Sequence, residues 1–292
     1  MPELPEVETV VRGLQSTLPG RRIVDVRLGK TDFIEDPSAL ESELPGRRVA
    51  NVRRYGKFLV LSFDAAAKSE YSGLLIHLGM TGQIVVCPAS TPVRPHTHVL
   101  MALDDDREFR YTDIRRFGSM RLLPSGPNGA ALETLGVTLG IDALAATEPE
   151  FRTQLSGRRA RVKALLLDQR VLRGMGNIYT DESLWRARIH PARIAADLSD
   201  KELRNLYRAV QWVLNEAIRL RGSSVSDYVD SEGQPGEFQL RHRVYQRKGK
   251  KCFRCGTAVE RMIVAGRSSY FCPGCQRAPR GRARKKKAGA RR

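Results

Sequence analysis

The 292-residue sequence contains no apolar run approaching the roughly 20 residues that a membrane-crossing helix needs. Its opening, Met1-Pro2-Glu3-Leu4-Pro5-Glu6, has no basic stretch followed by an apolar core, so a secretory signal is not expected. No internal repeat is visible, which argues against a solenoid. Acidic residues are scarce: 32 Asp and Glu stand against 50 Lys and Arg, a formal net charge of +18. An acidic partner surface is therefore favoured, and nucleic acid is the commonest polyanion. The residues from 276 to 292 hold nine Lys or Arg and no acid. Subtracting those nine still leaves +9, so the positive balance belongs to the body as well as to the tail.

Cysteine is also scarce, and four of the five are paired in sequence. Cys252-x2-Cys255 is followed, sixteen residues on, by Cys272-x2-Cys275. A two-residue gap lets both thiolates of a pair face one ion, and two pairs complete a tetrahedron around one Zn²⁺. Four thiolates leave no open position, so the expected zinc is structural. Between the pairs, residues 259–264 and 268–271 read as short strands about the turn Ala265-Gly266-Arg267. Arg267 is thereby a candidate phosphate contact at the tip of a hairpin. Cys87 stands alone and reads as a small buried hydrophobe.

What remains is a globular composition, with 41% hydrophobic and 28% charged residues. Val7, Val10, Val11, Leu14 and Leu18 have helical spacing, and Glu3 to Pro5 would open that helix. Short strand-like runs follow at 23–28, 49–52, 58–63, 74–78, 84–86, 99–103, 108–111 and 119–122, most of them separated by turn signals. Many strands with little helix between them predict a two-sheet sandwich or a barrel. A Pro/Gly/Ser stretch at 124–129 marks a boundary. Helices are predicted at 151–155, 160–167, 178–186 and 200–220, with Ser199 and Glu202 as a capping box on the last. Gly174, Gly176 and Asn177 form a tight polar turn between two of them. Residues 223–236 read as a loop. The expected organisation is 1–123 as a β domain, 124–150 as a connecting segment, 151–236 as a helical domain, 237–276 as the cysteine module and 277–292 as a disordered basic tail.

Pro2 would expose a secondary amine if Met1 were removed. Such an amine is a nucleophile with a reference pKa near 8, and Glu3 and Glu6 could move protons beside it. A proline and two glutamates at a helix start are also ordinary caps, and the residues alone leave both readings open.

Several separated segments carry a resemblance. They are Pro2-Glu3-Leu4-Pro5-Glu6-Val7-Glu8-Thr9, Arg54-Tyr55-Gly56-Lys57-Phe58-Leu59, His77-Leu78-Gly79-Met80-Thr81-Gly82, Asp113-Ile114-Arg115-Arg116-Phe117-Gly118, Gly176-Asn177-Ile178-Tyr179-Thr180-Asp181-Glu182 and the four cysteines. In this order and spacing the sequence resembles the bacterial formamidopyrimidine-DNA glycosylases. The resemblance implies an α+β chain. An N-terminal β-sandwich flanked by helices would be followed by a helix–two-turn–helix domain and a zinc hairpin finger, with double-stranded DNA between the lobes. It implies a cytoplasmic monomer that excises oxidised purines and then cleaves the strand. Pro2 would be the nucleophile, Glu3 the proton donor and acceptor, and Lys57 the catalytic lysine, with Glu6 in support. His77, Arg116, Lys163, Asn177 and Arg267 would hold phosphates. Met80, Arg115 and Phe117 would fill the void left by a flipped nucleotide. The loop 223–236, with Gln234, would meet the lesion. Two positions depart from the family pattern. Residues 246–251, Gln-Arg-Lys-Gly-Lys-Lys, replace a common Gly and Pro before the finger, and Gln234 stands where some members carry Lys. The alternatives are an oxidised-pyrimidine glycosylase of the endonuclease VIII type and a non-enzymatic zinc-finger DNA binder.

Overall fold

The computed structural model describes residues 2–64, 69–125, 139–225 and 228–278. Residues 126–138 of the connecting segment, part of the loop at 226–227 and nearly all of the basic tail lie outside these residues.

The chain opens with helix α1 (Leu4–Gln15), whose Val7, Val10, Val11 and Leu14 are buried on one face. Strand β1 (Ile23–Leu28), helix α2 (Pro37–Glu43) and strands β2 (Val49–Tyr55), β3 (Phe58–Phe63), β4 (Tyr71–His77), β5 (Gln83–Pro88), β6 (Thr97–Leu103), β7 (Arg107–Thr112) and β8 (Ser119–Pro124) follow. They form two antiparallel four-stranded sheets, ordered β1-β6-β7-β5 and β2-β3-β4-β8. The inward residues of both sheets and the apolar face of α1 share one core. The sandwich rather than the barrel is therefore the arrangement found, because the two sheets exchange no ladder.

Beyond it come β9 (Ile141–Asp142), α3 (Glu148–Leu155), α4 (Val162–Leu167), β10 (Leu172–Arg173), α5 (Asn177–Ala187) and α6 (Asp200–Arg219). These build a second core. The helices largely match expectation, with two differences. Helix α3 begins three residues before the predicted start, because Thr147 and Glu150 form a capping box ahead of the apolar residues. Helix α4 begins at Val162, since the backbone of Arg161 is committed to a bridge with Ile194. Helix α2 was not anticipated. It buries only Leu40 and is set by the Asp36 cap and Pro37 rather than by periodicity.

The two lobes are tied at three places. Leu4 sits in the second core while the rest of the α1 face sits in the first, so one helix belongs to both. Arg54 donates to both carboxylate oxygens of Asp142 at 2.8 and 3.0 Å and to Glu8 at 2.8 Å, a half-buried clasp. Tyr228, on the loop after α6, packs into the sandwich core and donates to the Glu6 carbonyl at 3.2 Å. The described part of that loop is thus docked on α1.

Strands β11 (Glu260–Val264) and β12 (Arg267–Phe271) form the expected hairpin. Its turn is two residues, Ala265 and Gly266, both at positive φ, as a twisted two-residue hairpin requires. Arg267 is therefore the first residue of β12 and not part of the turn. Cys87 lies on the edge strand β5 and is only half-buried, so it is not a core residue. Among the described residues, no helix is long and apolar enough to cross a membrane.

Candidate active site

Helix α1 delivers Pro2 and Glu3 to the seam between the lobes, and both are buried. The Leu4 N–H donates to the carbonyl of Gly174 at 3.0 Å, which pins the start of α1 onto the 174–177 turn. The Glu3 carboxylate accepts from the backbone N–H groups of Ile178 at 3.0 Å and Tyr179 at 3.4 Å. It thus caps the N-terminus of α5, where unpaired amides and the helix dipole favour negative charge. Gly176 permits this approach: a Cβ there would lie 2.2 Å from the Glu3 carboxyl carbon.

Burial raises the Glu3 pKa, while Lys57 and the two α5 amides act in the opposite direction. Glu6 lies one turn on. Its carboxylate accepts from the Glu3 N–H at 2.8 Å, the Ser223 N–H at 2.7 Å and the Tyr179 hydroxyl. Burial and the neighbouring Glu3 push its pKa up to about 7. Two adjacent buried carboxyls therefore titrate as a pair and can hold a proton near neutral pH.

Lys57 stands in the two-residue turn between β2 and β3, where Gly56 takes φ +62°. Burial lowers its pKa, and the charges of Glu3 and Glu6 partly restore it. The positive charge of Arg267, at the start of β12, lowers it a little further. His77 ends β4. Burial and Lys57 lower its pKa, and its Nδ1 accepts from the Gly79 N–H at 3.1 Å. The proton of the neutral ring is then on Nε2, a donor suited to a phosphate oxygen.

The loop after β7 brings the predicted void-filling residues together. The Arg115 guanidinium lies 4.4 Å from the Phe117 ring centroid and 3.9 Å from the Met80 sulfur. Phe117 is 56% exposed, which a core phenylalanine would not be. Asp113, fully buried, organises this loop: it accepts from Thr81, Tyr111 and the backbone of Arg115 and Gly118. Gly79 is required here, because a Cβ would sit 2.3 Å from the Phe117 backbone carbon.

Three expected phosphate contacts are placed differently from one another. Asn177 is the first residue of α5, and its side-chain oxygen is buried without a partner. Arg116 is half-buried and paired with Asp32 at 2.8 Å, so a phosphate would have to compete with that carboxylate. Lys163 corrects the sequence reading. Its side chain is fully buried, with Nζ 2.6 Å from Asp181 and 2.9 Å from the Ser268 carbonyl. Sealed from solvent, it joins α4, α5 and β12 and cannot reach a phosphate in this arrangement. Replacing it with methionine strands the Asp181 carboxylate. Lys163→Met is expected to lose roughly 3–5 kcal/mol in denaturant unfolding, and Lys163→Met with Asp181→Asn markedly less. Equal losses in single and double variants would show that the ion pair is not what holds the finger. Gln234 is exposed, and its backbone closes a turn on Asp230.

Sequence reasoning missed the carboxylates inside α5. Asp181 accepts from the Tyr270 N–H at 2.9 Å, and Glu182 accepts from the backbone N–H groups of 243, 244 and 245, each at 2.9 Å. They tie the finger and the turn leading to it onto the helix that carries the Glu3 site. Their adjacency in a helix with apolar residues on both sides was the available signal.

The four cysteine sulfurs lie within 4.8 Å of one another, with Cys252 to Cys275 at 3.9 Å and Cys255 at 3.4 Å from both Cys272 and Cys275. A tetrahedron with metal–sulfur bonds of about 2.3 Å has edges of about 3.8 Å, so the cluster fits one zinc ion. Trp185 Nε1 donates to Cys252 Sγ at 3.4 Å, as a supporting contact to a thiolate should. Within the altered 246–251 segment, Gly249 takes φ +79° and donates to the Val259 carbonyl at 2.8 Å. Cys272→Ser is expected to bring bound zinc from one ion per chain toward none. It should also lower duplex affinity by roughly tenfold as the finger's phosphate contacts go. Metal analysis and a salt-resolved binding curve check both.

Three family models cover most of this geometry. The formamidopyrimidine-DNA glycosylase N-terminal domain matches residues 1–120, its H2TH domain matches 139–229, and the zinc finger found in FPG and IleRS matches 249–278. The chain belongs to the formamidopyrimidine-DNA glycosylase family. A formamidopyrimidine-DNA glycosylase of Desulforamulus reducens is 41% identical over 283 residues, covering 95% of this chain and all of that one. Among solved structures, the Lactococcus lactis Fpg in complex with DNA containing an abasic site superposes with a TM-score of 0.84. It is 32% identical and spans 94% of this chain and all of that one. A structure of MutM with DNA containing carbocyclic 8-oxo-G superposes at 0.83, with 32% identity over 95% of this chain and all of that one. In this glycosylase family the sandwich, the H2TH helices and the finger are parts of one chain, as they are here.

Proposed function

We propose that this chain is a bifunctional DNA glycosylase and abasic-site lyase that removes oxidised purines, 8-oxoguanine and formamidopyrimidines, from double-stranded DNA. The observation that carries the reading is the buried Glu3 carboxyl on the α5 N-terminus, next to Pro2 and beside Lys57. Family membership and the DNA-bound relatives support it. A base stacked in a duplex is out of reach of such a recessed site, so the nucleotide is flipped out. Met80, Arg115 and Phe117 fill the vacated stack, offsetting part of the unstacking cost. Lys57, His77, Asn177 and Arg267 hold the bent backbone.

After removal of Met1, the Pro2 nitrogen attacks C1′ of the damaged nucleoside. The C1′–N bond breaks, its electron pair leaves with the base, and Glu3 manages the proton that base release and ring opening require. The C1′–Pro2 bond becomes an iminium, which acidifies the 2′ hydrogen. Loss of that proton expels the 3′ phosphate. A second elimination expels the 5′ phosphate and leaves a one-nucleoside gap. The zinc ion, held by four thiolates, shapes the finger and takes no chemical part.

Borohydride trapping on a duplex with 8-oxoguanine opposite cytosine, run beside one with oxidised thymine, tests this. A covalent adduct and both elimination products are expected on the purine duplex. Trapping on the thymine lesion alone would make the chain a pyrimidine glycosylase, and binding without any adduct would make it a DNA binder only.

A further inference from the structure

The far end of the helical lobe carries an aromatic and cationic surface that the reaction does not use. Helix α5 runs away from the Glu3 site, and Arg186 lies about 13 Å along it from Asn177. There α5, α6 and the start of the finger enclose a cavity of about 480 Å³ walled by Trp185, Trp212, Val213, Phe238 and Phe253. A second cavity of about 410 Å³ lies on the other side of Trp212, lined by Arg186, Arg188, Arg208 and Asn205 and by no acid. Trp212 is 46% and Phe253 62% exposed.

Arginines outnumber acids around them: Arg186, Arg241, Arg243 and Arg254 line the first cavity against Glu182 and Glu216. Arg186, Arg188, Arg208, Arg241 and Arg243 form no ion pair within 4 Å among the described residues. Two acids line the first cavity. Glu182 is buried and occupied by three backbone amides, and Glu216 is held by Arg219 at 2.8 Å. Burial and the nearby guanidinia of Arg254 and Arg243 lower the Arg186 pKa, while Glu216 acts in the opposite direction.

We propose that this surface docks an acidic peptide segment of a partner protein, with one bulky apolar side chain in the cavity lined by Val213 and Phe238 and its carboxylates on the arginines around it. The guanidinium stacks decide between occupants. Arg186 covers the Trp212 ring at 3.4 Å, and Arg243 and Arg247 cover Phe253 at 4.7 and 4.0 Å. A nucleobase would need those same faces. The chain's own tail is excluded by sign, having nine basic residues and no acid. A concave apolar wall suits one anchor side chain, the usual centre of a peptide contact.

The test uses the full zinc-loaded chain and a fluorescein-labelled peptide Asp-Asp-Asp-Ala-Leu-Phe, read by anisotropy while an abasic-analogue duplex fills the DNA cleft. Saturable binding is expected, weakened at least about tenfold by Arg186→Glu, by Arg208→Glu and by Trp212→Ala, and by replacing Leu-Phe in the peptide with Ala-Ala. Incision of lesion duplex should stay within about twofold in each variant. The two arginine substitutions are at exposed positions and keep the test valid should Trp212→Ala fail to fold. No saturable binding up to about 1 mM peptide, or equal binding by all variants, overturns the proposal. Displacement of the peptide by single-stranded oligothymidine at equal charge would reassign the surface to nucleic acid.

Discussion

A form of the chain that retains Met1 is expected to lose base release and borohydride trapping by roughly 10⁴-fold or more, while still binding an abasic-analogue duplex within about twofold of the processed chain. The reason is electronic. In the processed chain Pro2 bears a secondary amine whose lone pair is free on a large fraction of molecules near neutral pH. With Met1 attached the same nitrogen is a tertiary amide, its lone pair is delocalised into the carbonyl, and it cannot add to C1′. Glu3, Lys57 and the phosphate contacts are untouched, so binding survives. The split between lost chemistry and kept affinity distinguishes this from general damage to the fold. Full trapping by a chain shown by mass to carry Met1 would remove Pro2 from the mechanism and return attention to Lys57, the next amine in the site, whose pKa is lowered by burial.

The sequence made the periodic parts of this molecule legible. The eight sandwich strands are short apolar runs, most of them bounded by turn signals, and the apolar face of α1 repeats at helical spacing. The Cys-x2-Cys pairs state the metal site outright. Less legible were elements held by polar caps, such as α2, which buries a single leucine. Least legible was the difference between a surface cation and a buried one. Lys163 follows Arg161 in a basic, alternating stretch and reads like a phosphate contact, yet its partner Asp181 is eighteen residues away and Ser268 more than a hundred. Tertiary pairing of that range leaves no local trace. The same holds for Asp113 and Glu182, whose roles are to receive backbone amides that only the fold brings near. Met80, Arg115 and Phe117 became readable as a group only through family resemblance, since a methionine and a phenylalanine in separate strand-flanking segments otherwise read as core.

Glu3→Gln is expected to slow base release by about 10² to 10⁴-fold with little change in duplex affinity. Glutamine keeps one oxygen for the Ile178 amide at 3.0 Å and gives up only the longer contact, 3.4 Å to Tyr179, so most of the α5 cap and the placement of Pro2 are preserved. What disappears is the exchangeable proton. The pH dependence gives the sign. Burial raises the Glu3 pKa, so its neutral, proton-donating form persists to higher pH than that of an exposed carboxyl and is lost as pH rises through the raised value. Wild-type base release should therefore show a descending limb that Glu3→Gln lacks, after allowance for the opposing ionisation of the Pro2 amine. Glu3→Asp separates proton transfer from position. It retains a carboxyl but draws it back from the two amides, so it should lose base release as well and weaken the α5 cap, seen as a lower unfolding midpoint. A Glu3→Gln chain that releases 8-oxoguanine within threefold of wild type, with the same pH profile, would leave the carboxyl as a helix cap and nothing more.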